Sequence, residues 1–159
     1  SKSIKNIDNA NKKFNLLPLF NVFDPAEKII DYLKKLKLKS IKIDKLIFNP
    51  EDSLINASKR LAKLNAGAGV IIDNKKLLGI VTERDIIKAI ATKRNNILET
   101  KLKNFMTKKV TYVNSDCILI EAIEILKSQG FRHLPIYDDK KLEFYGIMSY
   151  KDFLLDITY

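Results

Sequence analysis

Cysteine and histidine are almost absent from this sequence, in which Cys117 and His133 are the only examples. A single cysteine excludes an intrachain disulfide, so a reducing compartment is the simpler expectation. One cysteine and one histidine are too few for a metal site built from these residues, so no metal is expected. Cys117 follows Asp116 at a predicted helix start, where we expect a packed thiol and not a nucleophile.

Long apolar runs are also missing. The longest, such as residues 69–72 and 77–81, fall far short of the ~20 residues that span a bilayer. The first 13 residues are polar and lack the apolar stretch of a secretory signal. Neither of the nucleotide-binding patterns GxxxxGK[ST] and GxGxxG occurs. We therefore expect a cytoplasmic protein that is not an enzyme and does not contact a membrane.

Positive charge is abundant and unevenly distributed. The 159 residues carry a formal charge of +10, all of it before residue 99. Hydrophobic residues make up 46% and charged residues 30%, as expected for a globular chain with a core. The basic part is compatible with nucleic acid or an acidic partner, or with a well-solvated lysine-rich surface.

The chain contains an internal repeat. At an offset of 65 residues, Leu54 aligns with Leu119 and Ala57 with Ala122. After a two-residue insertion the offset is 67, and the aligned pairs are Gly79/Gly146, Ile80/Ile147, Thr82/Ser149 and Asp85/Asp152. About 40 positions align, which indicates two copies of one unit.

Each copy is predicted to form a βαββα unit. Residues 45–48 and 110–113 are β-like, and each run leads to a helix with apolar residues at helical spacing. Two β-rich runs follow, joined by turns at residues 73–75 and 138–140, and helices over residues 83–91 and 150–157 close the copies. The sequence thus predicts an α+β fold. One unit buries too little core alone, so the two should pack with pseudo-twofold symmetry.

Residues 1–39 lie outside the repeats, which we place at residues 40–98 and 99–159. Asp24 and Pro25 are good N-cap and first-turn residues, and they predict a helix over about residues 25–37. The apolar stretch at residues 14–23 is expected to dock on the repeats or on a second chain.

The paired segments GIVTERD, beginning at Gly79, and GIMSYKD, beginning at Gly146, are the strongest functional signal. Ser/Thr-x-x-Asp is a variant of the capping box that satisfies backbone N–H groups at a helix start. The same groups suit a nucleotide, because a helix N-terminus attracts phosphate and an Asp accepts sugar hydroxyls. The glycine would let a ligand approach the backbone closely. Both interpretations remain open.

The two repeats resemble a tandem pair of CBS domains, often called a Bateman module. The resemblance covers about residues 40–159 and rests on NAGAGVIIDNKKLLGIVTERDIIKAI, NFMTKKVTYVNSD, GFRHLPIYDD and GIMSYKDFL. It implies two clefts related by a pseudo-twofold axis. It also implies a regulatory ligand such as AMP, ADP, ATP or S-adenosylmethionine, and association into a homodimer.

The resemblance further implies roles for ten residues. Asp85 and Asp152 would hold ribose hydroxyls, and Thr82 and Ser149 would contact phosphate or ribose. Arg132 and His133 stand where many members bind phosphate. Thr107, Val110, Ile80 and Ile147 stand where the adenine slot is lined.

The first copy departs from this pattern, since Gly67 and Ala68 replace Arg132 and His133. We therefore expect unequal clefts, one of them tighter. The expected function is an adenosine-nucleotide sensor that signals to a dimer or to a regulated protein partner. The alternative is a basic module with the same fold that binds nucleic acid or protein.

Overall fold

The computed structural model describes residue 31 and residues 34–40, 43, 45–92 and 97–149. In the first half, strand β1 (Ile47–Phe48), helix α1 (Leu54–Leu64), strands β2 (Ala68–Asp73) and β3 (Lys76–Thr82) and helix α2 (Glu83–Thr92) follow in order. The second half contains helix α3 (Leu119–Gln129) and strands β4 (His133–Asp138) and β5 (Glu143–Ser149). Short 3₁₀ turns, Leu38–Ser40 and Leu102–Asn104, precede each half.

The two halves have equivalent strand pairing. The first sheet has the order β1-β2-β3, with β1 parallel to β2 and β2 antiparallel to β3. The second sheet is the β4–β5 hairpin, and Val113 adds one parallel bridge to Ile136. Phe48 pairs with Ile71 in the first half. Both partners lie 65 positions before Val113 and Ile136, so the repeat offset is kept in the sheet register.

The hairpin turns differ in length. Asn74 and Lys75 form a two-residue turn with φ values of 46° and 65°, as a tight hairpin requires. In the second hairpin residues 139–142 separate the strands, and the Asp138 carboxylate accepts bonds from the N–H groups of Lys140 (3.1 Å) and Lys141 (3.0 Å). The two-residue insertion between the repeats therefore lies in this turn.

The first helix of each half buries the same face. Leu54, Ala57 and Leu61 are buried on α1, and the equivalent face of α3 buries Leu119, Ala122 and Leu126. A residue with left-handed backbone ends each helix, Asn65 (φ 50°) after α1 and Gly130 (φ 65°) after α3.

Hydrophobic residues between the two sheets hold the halves together. This inter-sheet core contains Ala68 and Val70 of β2, Tyr137 of β4, and Phe144 and Ile147 of β5, all buried. The Tyr137 hydroxyl also donates to the carbonyl of Lys75 across the interface (2.9 Å). The sheets therefore pack face to face, as the repeat predicts.

The short segment that precedes each half packs against the core of the other half. Leu38 and Leu102 begin the two 3₁₀ turns and are both buried. Leu38 belongs to the core that contains α3, and Leu102 to the core that contains α1. The chain thus exchanges its entry segments between the repeats, an arrangement that the repeat pattern does not predict.

The predicted α+β fold of two repeated units is confirmed. The helix predicted after residues 45–48 is α1, and the helix predicted over residues 83–91 is α2, which ends one residue later. The prediction of a strand over residues 110–113 is wrong, since only Val113 forms a bridge. The helix predicted over residues 150–157 lies outside the described residues. Of the helix predicted over residues 25–37, the structure describes as helical only Asp31, Lys34 and Lys35. The domain boundaries remain predictions.

Candidate functional site

A cavity of about 260 Å³ lies where the first sheet, the connecting segment and the start of β4 meet. Residues 106–113 form the connecting segment. The lining of the cavity comes from both halves of the chain and from residues 107 and 109–111 of this segment. The lining residues are Gly67, Ile80, Thr82, Glu83, Arg84, Thr107, Lys109, Val110, Thr111, Gly130, Phe131, Arg132, His133 and Pro135. A ligand here would touch both repeats at once.

Thr82 and Asp85 form a hydrogen-bonded cap at the start of α2. Asp85 Oδ2 accepts from the Thr82 N–H (2.9 Å) and from Thr82 Oγ1 (2.8 Å), while the Asp85 N–H donates to Thr82 Oγ1 (3.2 Å). This geometry is that of a capping box, which was one of the two interpretations of the Ser/Thr-x-x-Asp motif. Among the described residues, no hydrogen bond reaches Asp85 Oδ1. The cap therefore leaves one carboxylate oxygen able to accept a bond from a ligand.

The connecting segment forms one wall of the cavity. Ile80 and Thr107 exchange two backbone hydrogen bonds, of 3.1 and 3.0 Å, so the segment is attached to the edge of β3. At its other end, Val113 bonds to the backbone of Pro135 (3.0 Å) and Tyr137 (2.9 Å) on β4. The segment is thus fixed to both sheets. It places Val110 beside the cavity with Ile80 and Pro135, where apolar side chains can contact the faces of a planar ring.

The lining also contains cationic side chains. Arg132, Lys109 and Arg84 are exposed, and His133 is half-buried. Glu83 is the one carboxylate among the described lining residues. Phosphate is the ligand group that this composition favours, since a guanidinium can grip it with two hydrogen bonds and α2 begins here.

His133 fits only because Gly67 has no side chain. A Cβ atom on Gly67 would lie 2.5 Å from His133 Nε2 and 3.0 Å from Cε1. The Gly67 carbonyl also accepts from the Glu83 N–H (3.0 Å), which ties the start of α2 to the same loop. Gly67, which aligns with Arg132 of the second repeat, therefore makes room for His133.

The structure brings together six of the ten residues singled out from the sequence: Ile80, Thr82, Thr107, Val110, Arg132 and His133. Asp85 joins them through its bonds to Thr82. Ile147 is buried in the inter-sheet core, and Ser149 pairs with His133 across β4 and β5. Neither of these two lines the described cavity, and Asp152 lies outside the described residues.

Several lining residues were missed by the sequence reasoning. Glu83 and Arg84 lie between Thr82 and Asp85, in the first turn of a predicted helix. This position could have identified them as site residues. Lys109 lies between two residues that were named. Nothing local marks Phe131 or Pro135, because their position depends on how the repeats pack.

The expectation that a glycine at position 79 admits a ligand is wrong. A Cβ atom there would lie 2.5 Å from Met106 Sδ and 2.8 Å from Met106 Cγ. The space above Gly79 is therefore filled by a side chain of the connecting segment.

Cys117 is held as a protonated thiol. Its Sγ donates to the Ile118 carbonyl (3.5 Å) and to Glu121 Oε2 (3.6 Å). Burial, together with the Glu121 carboxylate, raises the pKa of the Cys117 thiol to about 11. A thiol that stays protonated at neutral pH is a poor nucleophile, in agreement with the packed thiol expected from the sequence.

The described residues contain no cluster of three or more His, Cys, Asp or Glu side chains that could hold a metal ion. None of the described helices has the length and apolarity that a membrane crossing requires.

Comparison with known proteins decides the family. The family model for the CBS domain matches twice, over residues 38–92 and 102–158. The chain belongs to the CBS-domain family. The two matches correspond to the two repeats, so the molecule is a tandem CBS pair.

Relatives of this CBS pair differ widely in length. A 17.7 kDa protein from the bps2 3′ region of Acidianus ambivalens is 36% identical over 115 residues, which cover 70% of this chain and 68% of that protein. The CBS domain-containing protein CBSCBSPB5 of Arabidopsis thaliana is 34% identical over 104 residues, covering 64% of this chain. The aligned part is 19% of that much longer protein.

Solved structures share the fold. The CBS domain pair of protein MJ0100, crystallised in complex with 5′-methylthioadenosine and S-adenosyl-L-methionine, is 25% identical. It superposes with a TM-score of 0.64 over 73% of this chain and 90% of that chain.

Proposed function

We propose that this CBS pair is a regulatory module that binds an adenosine nucleotide in the cavity between its repeats. The observation that carries the proposal is the convergence of six family-pattern residues, drawn from both repeats and the connecting segment, on one cavity. The MJ0100 pair, which holds two adenosine compounds, supports the ligand class.

Each part of the cavity suits one part of such a ligand. The adenine ring would lie against Ile80 and Val110, and the ribose would bond to Asp85 through Oδ1. The phosphates would face Arg132 and His133 near the start of α2. A guanidinium and helical N–H groups provide charge and donors where the ligand is anionic.

The connecting segment gives the ligand a route to influence the rest of the molecule. Thr107 is bonded to the first sheet and Val113 to the second, and residues 109–111 between them line the cavity. A ligand that contacts this segment and both repeats would favour one relative arrangement of the two sheets. A partner that distinguishes those arrangements would then sense the ligand.

Calorimetric titration with AMP, ADP, ATP and S-adenosylmethionine tests the ligand class. Arg132→Ala is the informative variant, because Arg132 is exposed and takes no part in the helix cap. Loss of its charged hydrogen bonds should cost roughly 1.5–3 kcal/mol, or on the order of 10- to 100-fold in affinity for the nucleotides. Lys127→Ala, on the exposed end of α3, is the matched control and should bind as the wild type does.

The proposal fails if none of the four compounds binds. It also fails if Arg132→Ala and Lys127→Ala weaken binding equally. If none of the four compounds binds, the Thr82–Asp85 pair acts only as a helix cap.

A second candidate function is self-association through α2. Ile87 and Ile90 lie three residues apart on one face of this helix and are 67% and 56% exposed. We propose that a second copy of the chain covers this face in a homodimer. Light scattering should show a dimer for the wild type and a monomer for the double variant Ile87→Lys/Ile90→Lys. Leu142→Lys, on an exposed turn, should stay dimeric, and a monomeric wild type would contradict the proposal.

Nucleic-acid binding by the lysine-rich part is less well supported. Lys37 and Lys39 are both paired with Asp116, at 3.4 and 2.7 Å. Arg60 stacks on the ring of Phe48 (4.7 Å) and lies 3.9 Å from Asp52. Three of the cations that would form a basic face are therefore already engaged within the chain.

A further inference from the structure

A second cavity, of about 460 Å³, lies beside the two hairpin turns and is called the hairpin cavity below. Its apolar lining comes from both repeats: Ile47 and Ile72 from the first sheet, and Leu142 and Phe144 from the second hairpin. Among the described residues, none that lines it also lines the proposed nucleotide cavity, and none is the repeat counterpart of a residue there. The hairpin cavity is therefore neither that cavity nor the cleft related to it by the pseudo-twofold axis.

The second repeat has tyrosines where the first repeat has the two isoleucines of this cavity. At the repeat offset of 65, Ile47 aligns with Tyr112 and Ile72 with Tyr137. The two tyrosine rings meet edge to face, with their centroids 5.4 Å apart. The Tyr137 hydroxyl reaches the first hairpin turn, where it donates to the Lys75 carbonyl (2.9 Å). A pair of phenol rings therefore connects the sheet of the second repeat to the turn of the first.

The isoleucine pair cannot make the equivalent contact with the second turn. Isoleucine is shorter than tyrosine and has no hydroxyl, so Ile72 cannot bond to that turn as Tyr137 bonds to the first. The second turn is also longer, with residues 139–142 between the strands where the first has residues 74–75. Ile72 and Leu142 consequently line an open space. The hairpin cavity is thus the place that a phenol ring occupies in the other half of the molecule.

The lining favours an uncharged ring as the ligand. Ile47 and Leu142 are 41% and 37% exposed, so apolar surface from both repeats is available for burial. Of the charged lining residues, Lys141 is paired with Asp138 (3.4 Å), and Glu143 accepts from a tyrosine hydroxyl (2.7 Å). Apolar side chains with a few polar groups beside them are the usual surroundings of a bound aromatic ring.

We propose that the hairpin cavity binds a small phenol, whose ring takes the place of the tyrosine side chain that the first repeat lacks. The ring lies against Ile47, Ile72 and Leu142. Bound there, the phenol contacts both repeats, as Tyr137 does in the other half. It gives the molecule a ligand site separate from the nucleotide cavity, and the proposal does not depend on nucleotide binding.

Titration with para-cresol, which is the side chain of tyrosine without its backbone, tests the proposal. Protein with isotopically labelled isoleucine and leucine methyl groups should show saturable NMR shifts at Ile47, Ile72 and Leu142. A ligand of this size is expected to bind with a Kd of about 1–10 mM. Absence of saturation, or shifts confined to other methyl groups, would overturn the proposal.

Variants that fill the hairpin cavity give an independent test. Ile72→Tyr supplies the missing ring and should weaken para-cresol binding at least about 10-fold, because the site is then occupied. Ile47→Tyr, at a 41% exposed position that tolerates a larger side chain, is a second blocking variant. Leu98→Tyr, at a 70% exposed position that does not line the cavity, is the matched control and should bind as the wild type does.

The outcome also separates this site from the nucleotide site. Arg132→Ala should bind para-cresol as the wild type does, since Arg132 lines only the nucleotide cavity. Loss of para-cresol binding in Arg132→Ala would place the ring in the nucleotide cavity and overturn the proposal. Equal binding by the wild type and both blocking variants would show adventitious binding only, and would overturn it as well.

Discussion

The two repeats of this chain agree in their scaffold and differ in their clefts. The Leu54 N–H donates to the Thr100 carbonyl (2.8 Å) where α1 begins. The Leu119 N–H donates in the same way to the Leu36 carbonyl (2.8 Å) where α3 begins. These pairs are related by the repeat offset to within one residue. The contacts that fix the entry segments are therefore duplicated almost without change.

Ion pairs on the surface follow the same symmetry. Glu51 is paired with Lys101 (2.6 Å) and Lys103 in one half. Asp116, the equivalent of Glu51, is paired with Lys37 and Lys39 in the other.

The cleft residues do not follow this symmetry. Arg132 stands opposite Gly67 in the alignment, and Val110 opposite Lys45. In the part of the chain that the structure describes, packing and backbone contacts are thus closely similar in both halves, while Arg132 and Val110 have no counterpart of the same type in the first repeat. The comparison predicts that this duplicated fold carries two unequal sites.

The largest expected effect tests the shared scaffold. Leu102→Ala and Leu38→Ala each remove a fully buried side chain from an entry segment, and Leu102 is 0% and Leu38 1% exposed. Each should lower the free energy of unfolding by about 2–5 kcal/mol, the usual cost of such a cavity. Urea denaturation measures this, with Leu98→Ala at a 70% exposed position as the control. Equivalence of the two entry segments would be refuted if only one of the two buried variants were destabilised.

An intermediate effect tests the difference between the clefts. Gly67→Ala places a methyl group on the imidazole of His133, and such overpacking costs about 1–3 kcal/mol unless the ring moves away. We expect the ring to move, with ATP affinity falling about 3- to 10-fold, as a loss of about 1 kcal/mol implies.

A double-mutant cycle measured by calorimetry checks the cause of that loss. In a His133→Ala background, Gly67→Ala should have little further effect on affinity, because the colliding ring is gone. Additive losses in the double variant would show that Gly67 does not act through His133.

The smallest expected effect concerns the paired ion clusters. Hydrogen bonds from Lys101 and Lys103 lower the pKa of Glu51 from 4.5 to about 2. Because the folded-state pKa is depressed, the stabilisation is present above pH 4.5 and is lost as the pH falls towards 2. The pairs are solvent-exposed, so the effect should be small and weaken with salt.

The midpoint of urea denaturation, measured from about pH 5 to about pH 2, tests this, because carboxylates titrate in that range. Glu51→Gln should lose less stability than the wild type over that range. Asp116→Asn should behave in the same way, since Lys39 and Lys37 lower the pKa of Asp116 as well. Wild-type pH dependence in both variants would mean that the pairs contribute nothing.

The sequence predicted what local patterns determine. The period of the apolar residues located α1 and α3, and the polar segment at Asp73 located a tight turn. The offset between the repeats was sufficient to predict an α+β pair and to name Thr82, Arg132 and their neighbours as site residues.

The remainder depended on packing between distant segments. Residues 110–112 look like a strand, yet Thr107 and Val113 are bonded to different sheets, so the segment crosses between them and lines the cavity. The alignment of the two repeats also could not show that Arg132 and Thr82 line the same cavity. That placement follows from how the β4 end of one repeat packs beside β3 of the other.

Native mass spectrometry with ATP counts bound ligands and therefore tests most directly whether one cleft in each chain binds an adenosine nucleotide. We predict one ATP per chain at low ligand concentration, with a second bound only at much higher concentration. We also predict that Arg132→Ala removes the first. Two ATP molecules of equal affinity per chain, or none, would contradict this prediction.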